Sequence, residues 1–341
     1  MNTESKELLN ESNIYYNGAE LLSYNRLLSF CMGSRGYGKT FFFKDYCIRD
    51  FIKNGFQFVW VRRYKPEVKL MKTFFDDIMY KFPSHTFKID GNKAYIDNKL
   101  AGWFIPLVIS HQYKSVPFPN VNKIIFDEFV ITTRHDQYLE NEPVKFLDLY
   151  STVARLRENV RAIFIANSAT ISNPYFNYFK ISPIKGKRFT KNKNIVIEHD
   201  TDIKFIDKAS STRFGQLIKG TTYGNYALEN EYLLDNYVNV ERRSPDSIYK
   251  ITLAHSGQYY GIYFDYNRNL IYVARRKNLN GGYAIAITSD DVEENTFLAK
   301  SENVKEVIKT IKEMFAIGKC RFDDIKIKSG FYDIMRILNM R

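Results

Sequence analysis

Short runs of apolar residues alternate with longer amphipathic stretches through the first half of the chain. The apolar run 27–32 ends at a glycine-rich turn, and the mostly non-polar segment that starts at Thr40 stops at Asn54-Gly55, a pair typical of a helix end. Residues 57–61 have the composition of a second buried strand. The order strand, loop, helix, strand predicts the start of a mainly parallel sheet.

The same alternation continues to about residue 166. After Pro66, apolar residues recur at helical spacing and predict a further helix: Met71, Phe74, Phe75, Ile78 and Phe82. Apolar runs at 102–109, 123–126 and 162–166 predict more strands, and the pattern over 143–156 predicts a helix between the last two. The N-terminal region is therefore predicted to be an α/β domain.

The pattern changes after about residue 173, where Asn, Lys, Gly and Pro become frequent and periodicity weakens as far as residue 207. Apolar segments at 248–251, 259–264, 270–274 and 283–287, separated by Gly and Asn turns, predict an antiparallel sheet. Helical patterns follow at 304–317 and 330–338. We expect an α/β domain over 1–205, a linker over 206–235 and a smaller α+β domain over 236–341.

Composition adds three constraints. The 341 residues are 45% hydrophobic, enough to bury cores, and carry a formal net charge of +12, which attracts polyanions but is also found in many other proteins. The three cysteines show no metal-ligand or disulfide spacing, so we expect a reducing compartment. No run approaches the roughly 18 apolar residues of a membrane span, and we expect no membrane partner.

The turn after the first predicted strand fits the phosphate-binding pattern GxxxxGK[ST]: Gly33, Ser34, Arg35, Gly36, Tyr37, Gly38, Lys39 and Thr40. Its glycines allow backbone N–H groups to surround a phosphate at a helix N-terminus. Lys39 is expected to neutralise the β and γ phosphates of ATP, and Thr40 to bind Mg²⁺. Arg35 is either a further phosphate contact or a solvated side chain.

Adjacent carboxylates follow the apolar run 123–126. Because side chains alternate along a strand, Asp127 and Glu128 are expected to point in different directions and to do different jobs. Asp127 would hold the metal and Glu128 would activate water, although the reverse assignment is chemically possible. Asn167, after the run 162–166, either orients water near the γ-phosphate or forms a turn.

Basic residues cluster at three further places. Arg155, Arg157 and Arg161 follow the predicted 143–156 helix, where spacing alone favours a basic helix end over a guanidinium that reaches a neighbouring subunit's phosphates. Arg62, Arg63 and Lys65 follow a predicted strand and are candidate contacts for DNA, for the nucleotide or for a neighbouring subunit. Lys114 is a candidate DNA contact, with an ordinary exposed lysine as the alternative.

Several unusual strings occur together, at residues 33–40, 61–67, 100–103, 121–129 and 212–215. In combination they resemble the DNA-packaging ATPase of phi29-like phages, over most of the chain and most strongly up to about residue 230. The resemblance implies an N-terminal additional-strand, conserved-glutamate (ASCE) ATPase. It also implies that Lys39, Thr40, Asp127 and Glu128 form the nucleotide site, and that Arg155 acts across a subunit interface.

As the resemblance implies, the chain is expected to form a homo-oligomeric ring of five subunits in the host cytoplasm. The ring would dock transiently on the portal of the procapsid, pump double-stranded DNA inward and contact a packaging RNA. The loop with Lys114 matches the family's DNA-gripping loop, and the basic string with Arg62 and Lys65 also has a counterpart.

The family's C-terminal domain is similar to an RNase-H-like nuclease that has lost cutting activity. Asp265 could mimic a nuclease carboxylate, but two-metal cleavage needs several convergent acids, and the sequence identifies no such set. We therefore expect no nuclease activity. Two other functions remain open: a P-loop kinase, and a nucleic-acid-binding scaffold with a vestigial nucleotide loop.

Overall fold

A computed structural model describes residues 14–131, 137–167, 173–184, 186–200, 203–221, 224, 239–276, 279 and 282–339. Contacts divide the chain into two compact units. The first comprises Met1–Ala169 and Pro183–Leu233, and the second comprises Thr170–Ser182 and Leu234–Arg341. Residues 206–221, assigned from sequence to a linker, thus group with the first unit, and 170–182 group with the second.

Nine strands form the sheet of the first unit. They are β1 (Leu28–Gly33), β2 (Gln57–Arg62), β3 (Phe87–Asp90), β4 (Lys93–Ile96), β5 (Lys99–Pro106), β6 (Val121–Asp127), β7 (Arg161–Asn167), β8 (Phe189–Lys191) and β9 (Ile195–Asp200). Their order across the sheet is β3-β4-β5-β2-β6-β7-β1-β9-β8.

The central strands of this sheet are parallel, as predicted. β1 pairs in parallel with β7 and β9, β6 with β2 and β7, and β2 with β5. Antiparallel hairpins complete both edges. The carboxyl ends of β1, β2, β6 and β7 consequently meet along one edge of the sheet, where ligands bind in folds of this class.

The described residues of this unit include the helices α1 (Ala19–Ser23), α2 (Lys39–Asn54), α3 (Lys65–Lys69), α4 (Glu142–Ala154), α6 (Ile203–Ser211) and α7 (Arg213–Ile218). α2 begins directly after Gly38 and ends at Gly55, which takes a left-handed conformation with φ +74° and donates to the Phe51 carbonyl over 2.8 Å. That ending confirms the predicted helix stop. In the core, Phe30 of β1 stacks on Phe164 of β7 with ring centroids 4.3 Å apart.

The prediction of one regular helix after Pro66 is wrong. α3 has only five residues, and the chain continues as 3₁₀ turns at Leu70–Thr73 and Met79–Lys81. The apolar spacing is nevertheless used, since Phe74, Phe75 and Ile78 are all buried. Phe74 packs edge-on to Trp60 with centroids 4.9 Å apart, so tertiary packing rather than helical hydrogen bonding sets the local path.

The irregular stretch expected between residues 173 and 207 contains strands. β9 lies directly beside β1, with Met32 opposite His199, and β8 pairs with its outer edge. Residues 192–194 form the turn that joins the two strands, closed by the hydrogen bond from Asn192 N–H to the Ile195 carbonyl over 2.9 Å.

In the second unit, six strands form one sheet: β10 (Ile248–His255), β11 (Gln258–Asp265), β12 (Leu270–Arg276), β13 (Ala284–Ala286), β14 (Thr296–Leu298) and β15 (Cys320–Phe322). The order is β14-β13-β10-β11-β12-β15. The antiparallel prediction holds for β10, β11 and β12, but it is wrong for β13, which pairs in parallel with β10.

Helices α5 (Pro174–Phe179), α8 (Lys305–Ala316) and α9 (Ile325–Asn339) complete this unit. One face of the sheet packs on α8 and α9, where Ile262 and Val273 share a core with Ile311 and Phe331. Neither unit contains, within the described residues, a helix long and apolar enough to cross a bilayer.

Candidate active site

The glycine-rich loop joins β1 directly to α2. Gly36 and Gly38 have φ values of +78° and +95°, which glycine adopts without the steric strain that a side chain would bring. Lys39 is buried, and its Nζ donates to the carbonyls of Gly33 and Ser34 over 3.0 and 2.7 Å. The lysine side chain therefore folds back over the loop that precedes it. Lys39 is also the first residue of a 16-residue helix, whose N-terminal N–H groups favour a phosphate.

Asn167 contacts this lysine from the neighbouring strand. It is the last residue of β7, opposite Gly33 in the register, and its Oδ1 lies 3.4 Å from Lys39 Nζ. The side chain predicted to approach the γ-phosphate is thus at the phosphate loop.

Thr40 and Asp127 meet at the start of α2. Thr40 Oγ1 lies 3.3 Å from Asp127 Oδ1, and Asp127 is largely buried at the end of β6. A hydroxyl and a carboxylate are hard oxygen donors of the kind that Mg²⁺ prefers, so this pair fits the metal that a nucleoside triphosphate brings. The second oxygen, Oδ2, accepts from Arg62 Nη1 over 3.2 Å.

Glu128 follows β6 with φ +58°, outside the strand, and so does not obey the side-chain alternation expected from sequence. Its Oε2 accepts from Arg62 Nη2 over 2.6 Å. Burial raises the pKa of Glu128, and the opposing attraction of Arg62 does not cancel that effect.

Arg62, a candidate DNA contact from sequence, lies between three carboxylates. Its side chain is only 13% exposed and reaches Asp127, Glu128 and Glu67, the last at 3.2 Å. Burial alone would lower the pKa of Arg62, but the three carboxylates outweigh it and raise the pKa. The contacts with Asp127 and Glu128 could not be predicted from the sequence, because these two residues lie 65 and 66 positions from Arg62.

The adjacent Arg63 is buried and holds the backbone of the turn that follows β6. It donates to both carboxylate oxygens of the buried Glu142, from Nε at 2.8 Å and from Nη2 at 3.0 Å. It also donates to the carbonyls of Glu128 and Phe129 over 3.1 and 2.8 Å. The turn that carries Glu128 is therefore fixed to α4 through this arginine.

The other predicted basic residues lie at the surface. Arg35 is exposed in the loop, Lys65 is exposed at the start of α3, and Lys114 is exposed after the 3₁₀ segment Leu107–Tyr113. Arg155 ends α4 with φ +42°, and its Nη2 lies 3.4 Å from the carbonyl of Lys114. The α4 terminus and the Lys114 segment are thus neighbours.

Arg157 and Arg161 instead brace backbone. Arg157 donates to the carbonyls of Val153, Ala154, Phe118 and Pro119, and Arg161 donates to Asn25 Oδ1 over 2.9 Å. Of the three clustered arginines, Arg157 therefore holds the end of α4 in place, whereas Arg161 lies on β7 and donates to the carbonyls of Glu158 and Val160 just before it.

His199 is a residue that sequence reasoning missed. It lies on β9 beside the phosphate-loop strand, and a lone histidine in an irregular-looking segment gave no signal. Burial lowers its pKa to about 4, and the charge of Lys39 acts in the same direction. The imidazole is therefore neutral at neutral pH.

The family described as "Podovirus DNA encapsidation protein (Gp16)" matches residues 10–340. The chain belongs to this family. A curated relative, the DNA packaging protein of Bacillus phage phi29, is 37% identical over 331 residues, which cover 97% of this chain and all of the relative.

Solved structures of the family show the same fold. The bacteriophage phi29 viral genome packaging motor assembly matches with a TM-score of 0.73 and 36% identity, over 95% of this chain and 99% of that chain. The crystal structure of the N-terminal domain of the DNA packaging ATPase from bacteriophage phi29 matches with a TM-score of 0.54 and 43% identity, over 56% of this chain and 98% of that one.

Asp265 ends β11 in the second unit and is almost fully buried. Its Oδ1 accepts from the Arg268 N–H over 3.0 Å, while Oδ2 is buried and receives no hydrogen bond from the described residues. Among the residues that the structure describes in either unit, no group of three or more His, Cys, Asp or Glu side chains could hold a metal ion.

Proposed function

We propose that this chain hydrolyses ATP and uses the energy to move double-stranded DNA into a viral procapsid. The observation that carries the proposal is that Lys39 and Thr40, which follow β1, lie at the same sheet edge as Asp127 and Glu128, which follow β6; both strands pair in parallel with β7. Curated relatives are DNA packaging proteins, and one solved relative is the N-terminal domain of the DNA packaging ATPase from bacteriophage phi29. Both facts support the assignment.

The residues divide the work of phosphoryl transfer. Lys39 and the loop amides bind and neutralise the phosphates, and Thr40 and Asp127 would hold Mg²⁺. When bound, the metal supplies charge stabilisation for the transferred phosphoryl group. Glu128 accepts a proton from the attacking water, and its raised pKa suits that role. Because Arg62 now occupies the carboxylate, this ion pair must open first.

Arg155 is proposed to act on the nucleotide bound by a neighbouring copy of the chain in a ring. The ring would have five subunits, the number that the resemblance to phi29-like packaging ATPases implies. Its exposed position at the end of α4, with Arg157 bracing the turn behind it, supports a guanidinium presented outward from a rigid base. An arginine supplied across an interface couples hydrolysis in one subunit to the position of the next.

DNA contact is assigned to Lys114, with Lys65 as a second basic position. Both ammonium groups are exposed, and contact with phosphates reads no base sequence, as a translocating motor requires. Lys114 is adjacent to Arg155 through its carbonyl. A grip on DNA and a trigger for hydrolysis could therefore be linked through one short segment.

The second unit is proposed to contact the packaging RNA through the sheet face opposite α8 and α9. On that face Tyr249 and Tyr263 lie 5.5 Å apart between ring centroids, Arg276 stacks over Tyr249 at 4.4 Å, and Arg243 stacks over Tyr263 at 4.3 Å. Exposed aromatic rings beside guanidinium groups suit nucleic acid. We further propose that the ring docks on the portal of the procapsid in the host cytoplasm.

The test is steady-state ATP turnover with and without double-stranded DNA across a salt series. DNA should stimulate turnover, and stimulation should fall as salt rises because phosphate contacts are screened. Glu128→Gln should abolish turnover yet bind ATP. Equal turnover by this variant would refute the role of Glu128. A chain that phosphorylates a small acceptor without DNA stimulation would be a kinase, and one that binds DNA but never hydrolyses ATP would be a scaffold.

A further inference from the structure

Leu156 directly follows Arg155 at the end of α4, and its side chain is fully exposed. Its exposed fraction is 101%, whereas the next large apolar side chain among the described residues, Leu217, is 76% exposed. Single exposed leucines are common on protein surfaces, so the exposure of Leu156 has meaning only together with its backbone conformation.

Arg155 and Leu156 are two successive residues with a left-handed backbone. Arg155 has φ +42° and ψ +55°, and Leu156 has φ +69°. A helix commonly ends with one residue in this conformation, usually glycine, because a side chain brings Cβ too close to the following carbonyl oxygen. The chain thus keeps an arginine and a leucine at two positions that glycine or asparagine would occupy with less strain.

The turn that carries Leu156 is held from inside the domain. Arg157 N–H donates to the Ala154 carbonyl over 2.9 Å, and the Arg157 guanidinium donates to the carbonyls of Phe118 and Pro119, each over 2.8 Å. These bonds fix the strained backbone and leave the Leu156 side chain in solvent. They explain the path of the turn, but they do not explain why an apolar residue stands at its tip.

We infer that Leu156 packs on the neighbouring copy of this chain and thereby positions Arg155 at the nucleotide of that copy. The inference rests on the proposed function, in which Arg155 crosses a subunit interface. Consecutive Cα atoms are about 3.8 Å apart, so an Arg155 that reaches a triphosphate bound by another copy brings Leu156 to the surface of the same copy. The apolar side chain leaves water there, which is favourable.

The area of one side chain decides the role of Leu156. A stable protein interface buries about 800 Å² on each partner, and a single leucine supplies a small part of it. Loss of Leu156 should therefore leave the ring assembled. A catalytic group displaced by about 1 Å, however, can lower a rate about a hundredfold. Leu156 is thus a positioning residue for Arg155 rather than the contact that holds the ring together.

The first experiment measures kcat and KM for ATP on the full chain with saturating double-stranded DNA, and the urea midpoint of unfolding. Leu156→Asn is the main variant, because asparagine is polar but tolerates the left-handed backbone. Leu156→Met keeps an apolar side chain of similar volume. Leu70→Asn, at a 71% exposed leucine of the first unit, is the matched control.

Leu156→Asn should lower kcat at least fivefold and change KM less than twofold, because the phosphate loop of each copy is intact. Its urea midpoint should be no lower than that of the unaltered chain, since asparagine relieves backbone strain. Leu156→Met should keep at least half of kcat, and Leu70→Asn should match the unaltered chain. A smaller loss in Leu156→Asn would overturn the inference, and so would a loss accompanied by a lower urea midpoint.

A double variant tests whether Leu156 acts through Arg155. Arg155→Ala combined with Leu156→Asn should turn over ATP no more slowly than Arg155→Ala alone, because a guanidinium that is absent cannot be misplaced. Losses that multiply in the double variant would show that Leu156 acts independently of Arg155 and would contradict the inference.

Burial of residue 156 in the assembled ring is measured with N-ethylmaleimide. The three native cysteines are buried, so Leu156→Cys adds one accessible thiol. Its reaction should slow at least tenfold when the chain assembles on DNA with ATP, whereas Leu70→Cys should slow less than twofold. Equal rates for Leu156→Cys before and after assembly would rule out the contact.

Failure of the proposed function gives a different pattern. An unaltered chain without ATP turnover would refute the ATPase and the role of Leu156 together. Turnover that survives in Arg155→Ala would refute the interface arginine and the role of Leu156, while the ATPase stands. Turnover lost in Arg155→Ala but kept in Leu156→Asn would refute the role of Leu156 alone.

Discussion

Arg62 Nη2 lies 2.6 Å from Glu128 Oε2, and this single contact occupies the carboxylate that would otherwise polarise water. The same guanidinium reaches Asp127 from its other nitrogen. One side chain therefore engages both the proposed metal ligand and the proposed base. The site residues are therefore in place, but the Glu128 carboxylate is paired with Arg62 and is not available to activate water.

Removing this guanidinium should release Glu128. We expect Arg62→Ala to raise ATP turnover without DNA toward the DNA-stimulated rate, so that the stimulation ratio falls several-fold. Arg62→Lys, which keeps the charge but cannot bridge two carboxylates, should lie between. Turnover with and without DNA measures the ratio. An unchanged ratio in Arg62→Ala would show that the ion pair does not restrain the base.

The buried Arg63–Glu142 pair should be essential for stability. Glu142→Gln leaves a buried guanidinium without its counter-charge, and breaking a pair of this kind costs about 3–5 kcal/mol. Urea unfolding measures the loss. Asp90→Asn, which breaks the exposed pair between Lys88 and Asp90 in the first unit, should cost about 0.5 kcal/mol. A loss below 1 kcal/mol in Glu142→Gln would contradict the buried-pair assignment.

His199 should make the folded chain sensitive to mild acid. Its folded pKa of about 4 lies below the ordinary 6.5, so the unfolded chain binds more protons between these values and stability falls as pH drops from 6.5 toward 4. The loss attributable to this residue is about 3 kcal/mol. Urea unfolding at several pH values should show a shallower decline in His199→Gln, whereas exposed His111→Gln should follow the unaltered chain.

Arg155→Ala subunits should hydrolyse ATP poorly alone. If the guanidinium acts across an interface, mixing them with Glu128→Gln subunits should restore part of the activity, because a mixed interface can combine an intact base with an intact arginine. Turnover is measured against mixing ratio. A mixture that never exceeds the sum of its parts would place Arg155 outside the reaction.

The aromatic face of the second unit gives a separate prediction. Arg276→Ala should weaken binding to an RNA with unpaired loop bases and lower the salt slope by about one, as the loss of one phosphate contact does. Tyr249→Ala should weaken binding with little change in slope. Lys309→Ala, which removes an exposed charge on α8, should leave both unchanged. Equal losses in all three variants would mean unspecific charge attraction.

Local sequence signals predicted the centre of the first unit well. The glycine-rich loop, the apolar strand before Asp127 and the helix end at Gly55 each depend on neighbouring residues, and each is found. The path after Pro66 was predicted as one helix because its apolar spacing is helical, yet ring packing from β2 decides it. β9 was missed, since pairing with β1 comes from far along the chain.

The site was predicted less completely than the fold. Lys39, Thr40, Asp127, Glu128 and Asn167 lie together as expected from their strand ends. The partners of Arg62 and Arg63 could not be read from the sequence, because a basic string after a strand looks the same whether it faces solvent or carboxylates. Side-chain direction at a strand end depends on the turn that follows, here the left-handed residue at Glu128.

The left-handed conformation at Glu128 places two neighbouring carboxylates in different surroundings. Asp127 is the last residue of β6 that pairs with β7, opposite Ile165, so it shares the rigidity of the sheet. Glu128 stands one peptide bond beyond the ladder. The backbone on both sides of Glu128 is nevertheless held, because Arg63 binds the Glu128 carbonyl and the Phe129 N–H donates to the Ile165 carbonyl. Only the Glu128 side chain, which is 58% exposed, is left to exchange partners, while the Asp127 carboxylate stays at the end of the sheet.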